Sequence, residues 1–189
     1  GTGILRGHLY FDDNGNFKTL ESSRHLADDI DSKTVNSLVK TVTDNFKISK
    51  DYYKLKARLM KQDKLEYHDR NVEIGEIKQN YPFKSAYNLV EKTFYNLDKD
   101  FGDIFTSFFS NGQVDVNPKK GKAGGAFCTY NLKKHPVYVL LNHVGTLNNV
   151  LTIAHEFGHA IHFELTKQNQ NALNFDFPMC TAETASTFC

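Results

Sequence analysis

Hydrophobic residues in the first half of the chain recur mostly at helical spacing. Over residues 32–61, apolar side chains three and four positions apart predict two consecutive helices, and Asp31 is of a type that commonly caps a helix start. The same spacing over residues 82–112 predicts further helices with an aromatic-rich face, which we interpret as core. Residues 1–30 lack this period, and residues 7–15 predict an extended arm followed by a turn.

The pattern changes between residues 114 and 142. Short apolar runs alternate there with turns rich in glycine or lysine, which predicts a small antiparallel sheet. Helical spacing returns at Leu147 and continues to Lys167, with Thr146 or the residue beside it as the predicted N-cap and no interrupting proline. The predicted fold class is therefore mainly α (α+β), with a small antiparallel sheet before a long helix. The sequence shows no internal repeat or linker that would divide this part of the chain.

The long helix carries the sequence His155-Glu156-Phe157-Gly158-His159. Two histidines four positions apart lie on one face of a helix, so both imidazoles can reach one cation, as in helical zinc sites. A catalytic zinc ion takes three protein ligands and leaves a fourth position to water. The motif therefore predicts one zinc ion per chain, held by His155 and His159, with Glu156 as the general base that accepts a proton from that water.

A third ligand must come from elsewhere, and three carboxylates follow the motif: Glu164, Asp176 and Glu183. Glu164 falls on the opposite side of the helix, and Asp176 lies in a predicted loop where aspartate more often caps or turns the backbone. Glu183 lies in a helical pattern of short side chains that could approach the motif closely, so the sequence favours Glu183. His162 shares the histidine face, but the extended zinc pattern would need glycine at its position and histidine in place of Leu165. We therefore interpret His162 as a neighbour of the ligands.

Four segments resemble the oligoendopeptidase F family of zinc metallopeptidases, within the thimet oligopeptidase superfamily. They are residues 121–127, residues 139–142, the zinc motif extended to His162, and residues 182–186, in the order and spacing of that family. Residues 54–69 also resemble an upstream helical segment of the family, so the resemblance covers most of the chain from about residue 31 onward. It implies that residues 31–189 are part of a zinc metallopeptidase catalytic domain, that Glu183 completes the zinc site, and that the substrates are short peptides.

The segment Gly124-Gly125-Ala126 precedes the second predicted strand. Glycines there could let a peptide substrate approach the backbone, or could only form a tight hairpin turn, and the residues alone favour neither. The family resemblance favours substrate contact.

Composition excludes some classes of partner. A net charge of +1 without a basic stripe argues against nucleic acid and anionic membranes, and the longest apolar run, residues 137–141, is too short to span a bilayer. Three cysteines form no metal-spaced pair, and an odd number does not define a disulfide framework. These features favour a reducing, cytoplasmic location.

Both ends of the chain suggest a larger protein. Residue 1 is glycine, and residues 182–189 follow a helical pattern without a stop signal. The resemblance implies that downstream helices complete the cleft, so we expect the remainder of the catalytic domain to pack on this chain. Two functions follow as hypotheses: a zinc-dependent endopeptidase acting on short oligopeptides, or a catalytically incomplete zinc-binding structural or interaction fragment of such an enzyme.

Overall fold

A computed structural model describes residues 19–72, 74–75 and 80–189. Contacts along the chain divide it into two units, residues 1–78 and residues 79–189. The arm and turn predicted over residues 7–15 lie outside the described residues, and the predicted domain boundary at residue 30 stays a prediction.

The first unit is helical. Its elements are α1 (Ser22–Ala27), α2 (Ser32–Asp44), α3 (Phe46–Leu59) and a one-turn 3-10 helix (Tyr67–Asn71). The Asp31 carboxylate accepts a hydrogen bond from the Lys33 N–H, which fixes the start of α2. Lys56 is buried in this unit, and its ammonium donates to the Arg70 carbonyl at 2.7 Å. The two helices predicted over residues 32–61 are confirmed, whereas α1 is too short to show a helical period in the sequence.

The second unit combines four helices with a small sheet. Its elements are α4 (Phe83–Leu97), α5 (Lys99–Ser110), β1 (Val114–Asp115), β2 (Phe127–Thr129), β3 (Tyr138–Leu140), α6 (Leu147–Asn169) and α7 (Met179–Phe188). The mainly helical fold class is thus confirmed. No helix in the described parts of the chain is both long and apolar enough to cross a lipid bilayer.

The sheet is mixed, which corrects the prediction of a wholly antiparallel one. Its order is β1-β3-β2: β2 pairs with β3 antiparallel, but β1 pairs with β3 in parallel, with Val114 opposite Val139. The Val139 N–H donates to the Gln113 carbonyl and the Leu141 N–H to the Asp115 carbonyl. Alternating side chains indicate which face of a strand is buried, but they carry no information on the direction of its neighbour.

Helix α6 is the centre of the second unit. Thr146 and Asn149 form a capping box at its start, because each side chain bonds the backbone of the other residue. Phe157, which is fully buried, packs against aromatic rings of α5, with ring centroids 4.5 Å from Phe105 and 5.5 Å from Phe108. One side of α6 is therefore fixed in the core, and the other side is left to present polar groups.

Candidate metal centre

Helix α6 places His155 and His159 one turn apart on the same face, with ring centroids 5.0 Å apart and ring planes at 88°. The His155 side chain is 40% exposed and that of His159 is 14% exposed. Glu156, between them in sequence, is buried. The face thus presents two imidazoles beside a carboxyl group that water reaches only in part.

Helix α7 brings Glu183 to this face. Its Oε2 atom lies 3.6 Å from His155 Nε2 and 3.8 Å from His159 Nε2. Three ligands about 2.1 Å from a tetrahedral ion are separated from one another by about 3.4 Å, so these distances are close to those of a zinc site. Within the described ranges, this is the one group of three histidine, cysteine or acidic side chains whose donor atoms converge, all within 4.8 Å of one another. The residues present therefore fit a zinc ion.

The other candidates from the sequence lie elsewhere. The Glu164 carboxylate pairs with Lys167 at 2.7 Å, and the Asp176 carboxylate accepts a hydrogen bond from the Tyr130 hydroxyl at 2.7 Å. His162 stacks on Phe177 with ring centroids 4.1 Å apart. The structure brings together His155, His159 and Glu183, the set that the sequence favoured.

Burial shifts the pKa of two groups at the site. Burial lowers the pKa of His159, an effect that the nearby Glu183 carboxylate partly opposes. A lowered pKa favours the neutral imidazole, which is the form that binds a metal. Burial also raises the pKa of Glu156, against the opposing influence of His155 and of a hydrogen bond from the Cys128 backbone N–H. A raised pKa makes the Glu156 carboxylate a stronger base.

The loop that contains Gly124 and Gly125 lies close to the first half of α6. The Asn142 side-chain amide donates to the Ala123 and Gly125 carbonyls at 2.9 and 2.8 Å, which holds the loop against the end of β3. Gly125 has a φ of +79°, a backbone conformation that favours glycine. Gly125 and Ala126 line a cavity of about 260 Å³ whose lining also includes Thr152 of α6.

Comparisons with known proteins identify the family of this chain. The family pattern of peptidase family M3 matches residues 15–189. The chain belongs to peptidase family M3. Group B oligopeptidase PepB from Streptococcus agalactiae is 26% identical to this M3 chain over 171 residues, which are 90% of the chain and 28% of PepB. An oligoendopeptidase F homolog from Borreliella burgdorferi is 28% identical over 177 residues, covering 90% of the chain and 29% of the homolog.

A solved structure from Chlamydophila abortus shares the fold, with a TM-score of 0.73 and 25% identity. The likeness covers 98% of the M3 chain and 31% of the solved one. The chain thus spans less than a third of the length of these relatives. The resemblance to oligoendopeptidase F predicted from the sequence is confirmed.

Two residues of the M3 chain shape the site although the sequence did not mark them as functional. A Cβ atom added to Gly158 would lie 2.7 Å from Ser186 Cα and 2.9 Å from the Ala185 carbonyl oxygen, so α7 packs directly on the glycine backbone. Ser186 is 2% exposed, and its hydroxyl donates to Glu183 Oε2 at 3.0 Å. The recurrence of small residues in both helices is the only sequence signal of such a close crossing.

Proposed function

We propose that this chain is the zinc-binding part of a metalloendopeptidase that hydrolyses short oligopeptides. One observation carries the proposal: Glu183 Oε2 of α7 lies within 4 Å of the Nε2 atoms of His155 and His159 on α6. The relatives are named oligopeptidases and oligoendopeptidases, which supports peptide substrates for the whole protein.

His155, His159 and Glu183 are the proposed ligands of one zinc ion. Zinc, when bound, supplies Lewis-acid activation of water and of a carbonyl group. Glu156 is the proposed general base: its carboxylate accepts a proton from the attacking water and delivers it to the leaving amine. The Cys128 N–H, which bonds the Glu156 carboxyl group, holds this side chain at the edge of the sheet.

The same sheet edge is the proposed binding surface for the peptide backbone. The N–H groups of Val139 and Leu141 lie on the side of β3 that faces β1. The backbone N–H and carbonyl of Leu140, the residue between them, therefore face β2. In β2, the backbone of Phe127 therefore faces β3, and that of Ala126 and Cys128 faces outward. Because the Cys128 N–H bonds Glu156, Cys128 would offer a peptide its carbonyl group. An extended peptide paired with this edge would be held through its main chain, with little dependence on its side chains. Gly124 and Gly125 would contribute by allowing close approach.

We further propose that the remainder of a catalytic domain packs on this chain. Helix α2 has no buried residue, and its apolar side chains Leu38, Val39 and Val42 are 64%, 57% and 50% exposed. Such a row of exposed apolar residues is typical of a surface that another part of the protein covers. The cytoplasmic location expected from the cysteines stays a prediction.

Metal analysis tests the ligand assignment. The purified chain is expected to bind one equivalent of zinc, and Glu183→Ala to weaken that binding. Glu164→Gln is the matched control, because Glu164 is a carboxylate of α6 that pairs with Lys167 and does not approach the histidines. Absence of zinc binding in the parent chain, or equal binding by Glu183→Ala, would refute the assignment.

Peptide cleavage tests the role of Glu156. Glu156→Gln is expected to keep zinc and to abolish any turnover of a quenched oligopeptide, since the amide cannot accept the proton. If the parent chain binds zinc but shows no chelator-sensitive cleavage, the second hypothesis holds. The chain then acts as a zinc-binding module that is catalytically incomplete.

A further inference from the structure

The Glu183 carboxylate has a hydrogen-bond donor of its own, the Ser186 hydroxyl. Ser186 lies one turn further along α7 and is buried against α6. Its Oγ atom is 3.0 Å from Glu183 Oε2 and 3.1 Å from the Glu183 carbonyl oxygen. Oε2 is the same oxygen that lies nearest to the two imidazole nitrogens.

We propose that Ser186 is a positioning residue that holds Glu183 Oε2 toward His155 and His159. The inference rests on the proposed metal centre. The Glu183 side chain is 47% exposed and has three rotatable bonds, so it would otherwise sample several rotamers in water. A hydrogen bond from the buried Ser186 hydroxyl to one carboxylate oxygen favours the rotamers in which that oxygen lies beside the hydroxyl.

The position of Ser186 is itself fixed by the packing of the two helices. Its Cα atom lies directly over Gly158, where a side chain on α6 would leave no room for it. Ser186 therefore cannot move outward without separating α7 from α6. The Ser186 hydroxyl therefore fixes the Glu183 carboxylate of α7 relative to α6, the helix that carries both histidines.

Two other hydroxyls of α7, those of Thr184 and Thr187, bond the helix backbone. Thr184 donates to the Cys180 carbonyl, and Thr187 donates to the Glu183 carbonyl at 2.6 Å. Bonds of this kind, from a side chain to a carbonyl one turn back, are common in helices. Thr187 is thus a matched control for Ser186, since it bonds the main chain of Glu183 but not the carboxylate.

The test compares Ser186→Ala and Thr187→Ala with the parent chain. Zinc affinity is measured by competition with a chromophoric chelator, and ligand geometry by the visible absorption of Co²⁺ in place of zinc. Ser186→Ala is expected to weaken zinc binding by about tenfold to a hundredfold, the usual effect of losing a hydrogen-bond partner of a metal ligand, and to change the Co²⁺ bands. Thr187→Ala is expected to change zinc affinity by less than about twofold. Thermal unfolding without metal checks that both variants fold.

A double-mutant cycle separates this inference from the proposed function. In the Glu183→Ala background, Ser186→Ala is expected to have no further effect on zinc affinity, because the side chain on which it acts is gone. Unchanged affinity and unchanged Co²⁺ bands in Ser186→Ala would overturn the role of Ser186 while leaving the metal centre in place. An equal loss of zinc affinity in Thr187→Ala would also overturn the role of Ser186. Failure of the parent chain to bind zinc at all would overturn the metal centre, and the role of Ser186 with it.

Discussion

Replacing Gly158 with alanine tests whether the close approach of α7 to α6 sets the position of Glu183. Gly158 lies between the two histidines on α6, and the added Cβ would meet backbone atoms of Ser186 and Ala185. Backbone atoms, unlike a flexible side chain, cannot relieve the clash by adopting another rotamer. The methyl group is therefore expected to move α7 as a whole, and Glu183 with it.

The size of the shift follows from the contact distances. The added Cβ would be 2.7 Å from Ser186 Cα, whereas ordinary contact begins at 3.4 Å, so α7 must retreat by roughly 0.7 Å. Metal–ligand distances tolerate deviations of only about 0.2 Å. Overpacking costs about 1–3 kcal/mol, and alanine offsets about 1 kcal/mol of this through its higher helix propensity. Gly158→Ala is thus expected to lower the free energy of unfolding by about 0–2 kcal/mol and zinc affinity by roughly tenfold or more.

Urea unfolding without metal and chelator competition for zinc measure the two effects separately. Gly102→Ala is the control, because Gly102 is also a helical glycine, but its added methyl would meet the Tyr95 ring in the helix before it, away from the site. Gly102→Ala is expected to leave zinc affinity unchanged. If Gly158→Ala binds zinc as tightly as the parent chain, the distance between α6 and α7 does not govern the third ligand, and the reasoning fails.

Three further predictions concern the core and the ionisable groups. Phe157→Ala is expected to lower the free energy of unfolding, measured in urea, by about 3–5 kcal/mol, because it empties a fully buried site; a loss under 1 kcal/mol would contradict this packing. Burial raises the pKa of the Cys128 thiol to about 12, so Ellman's reagent is expected to modify the exposed Cys180 first and Cys128 only on unfolding; early loss of the Cys128 thiol would count against its burial. Burial, followed by the hydrogen bond to Asp176, raises the pKa of Tyr130 to about 12, so its stabilising effect is complete below about pH 10 and is lost as pH rises toward 12. Ultraviolet titration of Tyr130→Phe is expected to lack one late-ionising phenol, and loss of a phenol titrating near pH 10 instead would refute this.

The sequence predicted those parts of the fold that depend on neighbours along the chain. The bounds of α6, its cap at Thr146 and the shared face of His155 and His159 all follow from helical spacing and from the residues beside them. The position of Glu183 required more than spacing. Elimination among the downstream carboxylates favoured it, the family resemblance implied it, and the structure brings it to the histidines.

Contacts between distant segments could not be predicted in this way. The parallel pairing of β1 with β3 depends on the path of the segment between them, which contains β2, and no local pattern records that path. The role of Gly158 depends on where α7 crosses α6, and that of Ser186 on the rotamer of Glu183. A glycine and a serine of these kinds are common in helices for other reasons, so their residue types alone gave no indication.

The division of the proposed ligands between two helices makes metal binding a tertiary contact. Two ligands are held rigidly on α6 by its packing in the core, but the third lies on α7, a helix of 10 residues. An isolated helix of that length is marginal in water. Zinc bound in such a centre would therefore add to the contacts at Gly158 and Ser186 that already hold α7 against α6. A bound metal would join α6 to α7, so a change that separates these two helices would also release the ion.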